Sequence, residues 1–134
     1  IRLRWAGFHD YWALVRLFQG SEVEEQVDLQ LVRHLLRQQR IYVAQMENGL
    51  AGCMMSLKET PRYVLLGNLY VLPSERNKVI ATLLGQQMIL RYLRIQRNVC
   101  FYYSQPELKT FYDRAAFRSI GKWVHYSVVM KETT

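Results

Sequence analysis

The sequence contains no apolar run that approaches the roughly 18–20 residues of a membrane-spanning helix. Its first ten residues, IRLRWAGFHD, lack the apolar core of a signal peptide, and they also lack an initiator methionine, for which trimming is one explanation. Internal repeats, low-complexity segments and linkers are absent from the 134 residues, an ordinary length for one domain. We therefore expect a soluble, cytoplasmic protein with a single domain over residues 1–134 and no membrane partner.

Cysteine is nearly absent, since Cys53 and Cys100 are the only two in the chain. Both lie in apolar, strand-like runs, which indicates buried, reduced thiols rather than a disulfide. Neither has metal-ligand spacing to any of the three histidines, so we expect no bound metal. A Gly-x-Ser-x-Gly nucleophile elbow and a glycine-rich nucleotide loop are also missing, so neither kind of site is predicted.

Acidic residues are scarce in the second half of the chain. Residues 1–60 contain seven basic and seven acidic side chains, whereas residues 61–134 contain eleven basic and four acidic ones. The formal charge of +7 therefore comes from the second half, which predicts an anionic partner, either a nucleic acid or a phosphorylated cofactor. The candidates for nucleic acid are Arg91, Arg94 and Arg97 near Tyr92. Arginines three residues apart on a helix are typical of a solvated face, so we expect no nucleic acid partner.

The pattern of apolar residues predicts ten elements in the order β-α-α-β-β-β-α-β-α-β. The predicted strands are Ile1–Trp5, Ile41–Met46, Leu50–Leu57, Tyr63–Leu72, Asn98–Tyr103 and Lys122–Lys131. Four helices are predicted. The first begins after Asp10 and the second after Ser21, and the other two span Arg76–Arg97 and Glu107–Arg114. The dipeptide Asn48-Gly49 indicates a hairpin, and the strands on either side of the long helix indicate a parallel crossover. The fold class is α/β (α+β), a mixed, mostly antiparallel sheet with helices on both faces.

The first two predicted helices carry acidic residues near their starts. Asp10 is expected to cap the first helix, because its carboxylate can accept hydrogen bonds from unpaired N–H groups. Glu22, Glu24 and Glu25 are expected in the first turn of the second helix, where negative charge suits the helix dipole.

One stretch, Leu69 to Leu90, joins a predicted strand end to a predicted helix start. Pro73 ends the strand because it has no N–H for the ladder, and the basic loop Ser74 to Lys78 follows. Unpaired N–H groups of the first helical turn and the helix dipole make such a junction suitable for an anion. An ordinary helix start after a solvated basic turn is the alternative.

The same stretch resembles the acyl-CoA-binding segment of the GNAT superfamily of N-acetyltransferases, in which a strand ending V-x-P precedes [Q/R]-x-x-G-x-[G/A] and a helix. Val71-Leu72-Pro73 matches the strand end, and Arg76 and Ala81 match the loop, but Val79 stands where the family has glycine. The resemblance implies acetyl-CoA as co-substrate, bound by Leu69, Tyr70, Val71, Arg76, Asn77, Lys78, Val79, Ile80, Ala81 and Gln105. We expect Val79 to keep a negative φ and to pack inward beside Ile80, because a β-branched residue is strained at positive φ.

A second motif, FYDRAAF at residues 111–117, resembles the L-Y-E-K-x-G-F segment of that family. Ala116 replaces the usual glycine, and Gln105 stands where the family often has asparagine. The resemblance assigns Tyr112 as the general acid. A phenol with a pKa of about 10 stays protonated near neutral pH and can donate to a departing thiolate, whose pKa is about 8.5. Core packing is the alternative role for Tyr112.

No general base is assigned from the sequence. The family often places a glutamate on or near the strand before the loop, but the segment from Arg62 to Pro73 contains no carboxylate. The candidates that remain are Glu59, Glu75, His34 and His125. A proton that leaves through ordered water, or an amine that arrives neutral, would remove the need for a base.

The resemblance implies transfer of an acetyl group from acetyl-CoA to a primary amine by direct attack in a ternary complex. The acceptor would be a small-molecule or peptide amine, attracted by the acidic segment 22–25 if that segment does more than begin a helix. The protein would be a monomer or a homodimer. The alternative is a catalytically degenerate GNAT-like domain that binds a ligand or a partner. It is motivated by the departures from the family pattern at Val79, Gln105 and Ala116 and by the missing base.

Overall fold

The computed structural model describes residues 1–20, 27–75, 79–103, 117–122 and 126–130; for residues 102–103 and the last two ranges it describes the backbone. Seven strands and three α-helices lie in these ranges. In chain order they are β1 Arg2–Trp5, α1 Tyr11–Gly20, α2 Leu29–Arg37, β2 Ile41–Met46, β3 Gly49–Glu59, β4 Tyr63–Val71, α3 Ile80–Arg94, β5 Asn98–Tyr103, β6 Phe117–Lys122 and β7 Tyr126–Met130. Short 3-10 turns at Phe8–Asp10 and Pro73–Glu75 precede α1 and α3.

The strands hydrogen-bond in the order β1-β2-β3-β4-β5-β7-β6. The strands β4 and β5 are parallel. The antiparallel pairs include β1 with β2, β2 with β3, β5 with β7 and β6 with β7. A parallel pair requires a crossover connection, and α3 supplies it between β4 and β5. The predicted fold class and the predicted parallel pair are therefore confirmed.

The last part of the sheet differs from the prediction of one closing strand at Lys122–Lys131. The structure has two antiparallel strands there, β6 and β7, with Ser119 opposite Val128. β6 has the sequence FRSIGK, in which arginine, serine and glycine interrupt the apolar pattern that identifies a strand. The predicted helix Glu107–Arg114 lies outside the described residues.

α3 is shorter than the predicted helix Arg76–Arg97 at both ends. Gln96 has a φ of 62°, and its N–H and that of the following residue donate to the carbonyls of Leu93 and Tyr92 at 2.9 and 3.1 Å. This Schellman arrangement ends the helix at Arg94, because a residue in the left-handed conformation cannot continue it. The regular helix begins four residues later than predicted.

α2 also begins later than predicted. The side chain of Asp28 accepts hydrogen bonds from the N–H groups of Gln30 and Leu31 at 3.0 and 3.3 Å, which makes Asp28 the N-cap. The acidic segment 22–25 is therefore not the first turn of α2, and it lies outside the described residues. The sequence pattern alone did not separate one capping aspartate from the glutamates that precede it.

Two compact units make up the chain, Ile1–Met55 with Leu69–Met88 and Ser56–Asn68 with Ile89–Thr134. The first unit buries apolar side chains that include Leu14, Val32, Leu35, Ile41, Met54, Met55, Ile80, Leu84 and Met88. The second unit buries Val64, Leu66, Ile89, Tyr92, Val99 and Phe101. None of the described helices is both long and apolar enough to cross a membrane. The single domain over residues 1–134 stays a prediction.

A partly buried ion pair fixes the entry into α1 in the first unit. The guanidinium of Arg4 donates to both carboxylate oxygens of Asp10 at 2.7 and 2.8 Å, and the N–H of Gly7 donates to one of them at 2.8 Å. The hydrogen bonds from Arg4 are the main reason why the pKa of Asp10 lies below its ordinary value. Asp10 therefore links β1, through Arg4, to the turn at Gly7 that precedes α1.

Candidate functional site

The end of β4 is tied to β3 through alternate residues. The N–H of Leu72 donates to a carbonyl of β3 at 2.9 Å, and the N–H of Tyr70 donates to the thiol of Cys53. Backbone groups of successive strand residues point toward opposite edges of the strand. The backbone groups of Leu69 and Val71 therefore point away from β3.

The side chain of Tyr70 packs against α1. Its ring lies edge-on to that of Phe18, with centroids 5.1 Å apart and an interplanar angle of 62°. Phe18 is buried and Tyr70 is half-buried. Among the sequence-predicted cofactor residues of β4, Tyr70 thus turns its backbone to β3 and its ring to α1.

β4 is irregular just before this segment. Asn68 has a φ of 50°, in the left-handed region that asparagine adopts more readily than most residues. The parallel register of β4 runs from Tyr63 to Leu66, so Asn68 separates the registered part of the strand from Leu69 onward. The sequence analysis missed this feature, although the dipeptide Gly67-Asn68 inside a strand pattern is a signal for it.

The chain passes from β4 to α3 through the turn Pro73–Glu75. The carbonyl of Val79 accepts the first helical hydrogen bond, from the N–H of Leu83 at 2.8 Å, so Val79 occupies the N-cap position of α3. The negative φ expected for Val79 stays a prediction. Its side chain is 62% exposed, however, so the predicted inward packing is wrong, because Ile80 fills that core position.

A valine at the N-cap leaves the first turn of α3 without an acceptor from its capping side chain, because valine carries no oxygen. The N–H groups of Ile80, Ala81 and the next residue lack intrahelical acceptors by helix geometry. Together with the positive end of the helix dipole, these N–H groups form a position suited to an anion such as a phosphate.

Gly52 of β3 lies where the end of β4 and the start of α3 meet. A Cβ added at Gly52 would lie 2.9 Å from the Tyr70 carbonyl oxygen, 3.2 Å from Cγ2 of Ile80 and 3.3 Å from Cδ1 of Leu84. The predicted cofactor segments on β4 and α3 are therefore adjacent within the first unit. The sequence analysis missed Gly52, although glycine inside a strand often marks a close approach of another backbone.

Five of the sequence-predicted site residues lie outside the part of the chain that the structure describes. They are Arg76, Asn77, Lys78, Gln105 and Tyr112. Their roles in binding the cofactor, and that of Tyr112 as general acid, stay predictions. The candidate base His125 also lies outside the described residues.

Glu59, another candidate base, belongs to a hydrogen-bonded network in the second unit. Its carboxylate accepts hydrogen bonds from the hydroxyls of Ser56 and Tyr92 at 2.8 and 2.9 Å and from the guanidinium of Arg97. Ser56 and Tyr92 are buried, and the side chains of Glu59 and Arg97 are each 25% exposed. A carboxylate held by three donors stabilises the fold and is poorly placed to accept a further proton.

Glu75 and His34 are the other candidate bases that the structure describes. Glu75 lines a surface groove of about 730 Å³ together with Arg2 and the turn between β2 and β3. His34 is exposed on α2. Neither position identifies a base. In the described ranges, no group of three or more His, Cys, Asp and Glu side chains could hold a metal ion.

Neither cysteine forms a disulfide. Burial raises the pKa of the Cys53 thiol to about 12, against a smaller opposing effect of the Tyr70 N–H. Desolvation also raises the pKa of Cys100, which is half-buried. Because the thiolate is the nucleophilic form, both residues are poor nucleophiles at neutral pH.

No family model and no curated protein matches the sequence. Solved structures match it over nearly the whole chain. Ard1 from Thermoplasma volcanium has a TM-score of 0.83 at 14% identity, with 98% of each chain covered. A chain of the NatC complex bound to Gag peptide and CoA has a TM-score of 0.77 at 14% identity, with 96% of each chain covered.

A third match is the PaiA N-acetyltransferase from Thermoplasma acidophilum in complex with coenzyme A, with a TM-score of 0.73 at 16% identity. It covers 97% of this chain and 98% of PaiA. At such identities the likeness concerns the fold and not the activity. The high TM-scores show that this chain has the fold of the GNAT superfamily of acetyltransferases.

Proposed function

We propose that the chain is an N-acetyltransferase that transfers an acetyl group from acetyl-CoA to a primary amine by direct attack in a ternary complex. The observation that carries the proposal is the junction of β4 and α3 in one compact unit. It offers strand-edge backbone groups beside helix N–H groups, which suits a ligand with both amides and phosphates. PaiA and NatC, which share the fold, were solved with CoA.

The amide-containing arm of acetyl-CoA would pair with the backbone groups of Leu69, because those groups point away from β3. The pyrophosphate would accept hydrogen bonds from the first turn of α3. Arg76 and Lys78, which immediately precede that turn in the sequence, would add positive charge. Tyr70 would contribute through its ring, since its N–H is used by Cys53.

In the transfer step, the nitrogen lone pair of the amine attacks the thioester carbonyl carbon and forms the new C–N bond. The C–S bond then breaks, and the leaving thiolate takes a proton from the phenol of Tyr112. The attacking nitrogen loses one proton, which leaves an amide and free CoA. Direct attack is favoured over a cysteine-bound acetyl intermediate, because the pKa of both thiols is raised.

The proton of the amine points to a class of acceptor. Glu59 is held by three donors, and no carboxylate occurs between Arg62 and Pro73. If no such glutamate takes the proton of the amine, an α-amino group with a pKa of about 8 is far more often neutral at pH 7 than a lysine amine with a pKa of about 10.4. We therefore favour α-amines of peptides or small molecules as acceptors. The NatC complex was solved with a peptide.

A catalytically degenerate domain that binds CoA or a partner is the second candidate. The engagement of Glu59 favours it, because that glutamate cannot deprotonate an ammonium group while Arg97 holds it. Binding of CoA without transfer is the behaviour that this alternative expects.

The experiment is a calorimetric titration with acetyl-CoA, followed by measurement of released CoA with a panel of amines. The panel contains peptides with free or acetylated N-termini and lysine with a blocked α-amino group. Binding and CoA release that needs a free α-amine support the proposal. Binding without release from any amine supports the degenerate domain. Absence of binding at millimolar acetyl-CoA would refute the transferase and would leave only a domain that binds a different partner.

A further inference from the structure

We propose that Gly52 is a positioning residue for the cofactor, because its missing Cβ sets how closely the first two turns of α3 lie against β3 and the end of β4. This inference rests on the proposed function, since its readout is affinity for CoA. Gly52 is assigned no contact with the cofactor or the reacting atoms. It acts through the elements that carry the cofactor residues.

Gly52 lies close to the backbone of β4. A Cβ at Gly52 would lie 2.9 Å from the carbonyl oxygen of Tyr70, a distance that real Cβ atoms essentially never show. That oxygen belongs to the backbone and cannot rotate away as the end of a side chain can. It is also held in place, because the N–H of Tyr70 donates to Cys53 and that of Leu72 to β3. An added methyl group therefore has to move the strand.

Gly52 also lies close to two side chains of α3. The same Cβ would lie 3.2 Å from Cγ2 of Ile80 and 3.3 Å from Cδ1 of Leu84. Both side chains are fully buried, so neither has open space into which it can turn. Relief of these contacts requires a shift of the helix by a few tenths of an ångström, and the N–H groups of its first turn shift with it.

Both displaced elements carry proposed cofactor contacts. Tyr70 directly follows Leu69, whose backbone groups are assigned to the amide arm, and Ile80 opens the turn assigned to the pyrophosphate. A methyl group at Gly52 therefore disturbs two contacts of one ligand at once. The active-site chemistry of bound acetyl-CoA depends on Tyr112 and the amine, so affinity is expected to change more than turnover at saturating cofactor.

The test compares CoA binding by wild-type protein and Gly52→Ala in calorimetric titrations. A matched control is Val43→Ile, which adds one carbon to a fully buried position of the same unit. Val43 pairs with Cys53, the neighbour of Gly52, so its side chain lies on the opposite face of the sheet from α3. We expect Gly52→Ala to weaken CoA binding about tenfold or more, and Val43→Ile to change it less than about twofold, although both lower the melting temperature.

A double-mutant cycle tests the contact itself. Ile80→Leu removes the Cγ2 methyl group that the added Cβ would meet and keeps the side-chain volume. If the two substitutions acted independently, their changes in binding free energy would add. We expect Gly52→Ala/Ile80→Leu to bind CoA at least about threefold more tightly than this sum predicts. At saturating acetyl-CoA, turnover of Gly52→Ala should stay within about threefold of wild type while its KM for acetyl-CoA rises.

The outcomes separate this inference from the proposed function. If the wild-type protein does not bind CoA, the proposed function fails, and the role of Gly52 fails with it. If the wild type binds but Gly52→Ala binds equally well, or loses no more affinity than Val43→Ile, only the role of Gly52 is overturned. Failure of both Gly52→Ala and the double variant to fold would also overturn it, because the inference requires that a small shift of α3 accommodates the methyl group.

Discussion

The two ends of α3 satisfy their backbone groups in different ways. At the C-terminal end, the N–H groups of Gln96 and Arg97 close a Schellman motif, and the hydroxyl of Tyr92 donates to Glu59 at 2.9 Å. At the N-terminal end, the capping residue is Val79, whose exposed side chain cannot accept a hydrogen bond. The C-terminal end is thus closed by the protein itself, whereas at the N-terminal end the capping side chain supplies no acceptor.

This difference assigns separate tasks to the two ends. A closed end contributes to stability, because each of its polar groups has a partner in the folded protein. An end capped by valine gives up about 1 kcal/mol of capping energy, which a bound anion can restore. Substitutions at the C-terminal end should therefore change stability, and substitutions at the N-terminal end should change cofactor affinity.

The largest expected effect lies at neither end of α3. Tyr112→Phe removes the proposed acid and should lower turnover by about one to four orders of magnitude, with the Kd for acetyl-CoA and the melting temperature unchanged. Single-turnover kinetics with a reactive amine measures it. Parallel losses of stability and activity would show that Tyr112 is a core residue, and unchanged turnover would remove it from the mechanism.

Glu59→Ala should give the largest change in stability. It leaves the buried hydroxyls of Ser56 and Tyr92 without their acceptor and releases Arg97, which together should cost about 2 kcal/mol of unfolding free energy. Urea denaturation measures this, with Glu59→Gln as the control that keeps an acceptor oxygen. A stable Glu59→Ala with weakened CoA binding would reverse the assignment of tasks.

Val79→Asp should separate stability from affinity in one variant. An aspartate at the N-cap accepts the first-turn N–H groups and should stabilise the protein by about 1 kcal/mol. The same carboxylate competes with a phosphate for those groups, so CoA should bind about tenfold more weakly, or 1.4 kcal/mol. Thermal melts and calorimetry on one preparation measure both.

Val79→Gly provides the complementary case, because glycine restores the family pattern without adding charge. We expect its affinity for acetyl-CoA to differ from that of wild type by less than about tenfold, or 1.4 kcal/mol, because we expect a negative φ at Val79, so that glycine relieves no backbone strain. A larger gain in affinity would show that the wild-type loop, with Val79, binds the phosphates poorly, and it would favour the degenerate domain.

The smallest expected effect concerns the closed end. Gln96 has a φ of 62° at the position of the Schellman motif where glycine is preferred, so Gln96→Gly should raise stability by about 0.5–1 kcal/mol. Gln39, with a φ of 53° at the end of α2, is a matched second site. Neither glycine variant should change CoA affinity, and a change of more than about twofold would contradict the division of tasks.

The sequence predicted the elements whose pattern is local and strong. The strand–helix–strand order around α3 follows from residue spacing. The hairpin of β2 and β3 follows from its turn residues, although the two-residue turn is Glu47-Asn48 and Gly49 opens β3. These features needed no knowledge of distant contacts.

Other features depend on contacts that residue spacing does not report. The roles of Gly52 and Glu59 arise only when β3 meets parts of the chain far away in sequence, such as Ile80 and Arg97. The start of α2 was misplaced because any of several acidic residues could have been its cap. β6 was missed because its sequence has a weak strand pattern and residue spacing does not report its pairing with β7.

The burial of Cys53 turns this residue into a reporter of local opening. Its thiol is fully buried and its pKa is raised to about 12, so alkylation requires β3 and its surroundings to open first. When reclosing is faster than the chemical step, the labelling rate measures the population of the opened form. Cys53 lies next to Gly52 in β3, so its labelling with and without CoA follows the rigidity of the same junction without any substitution.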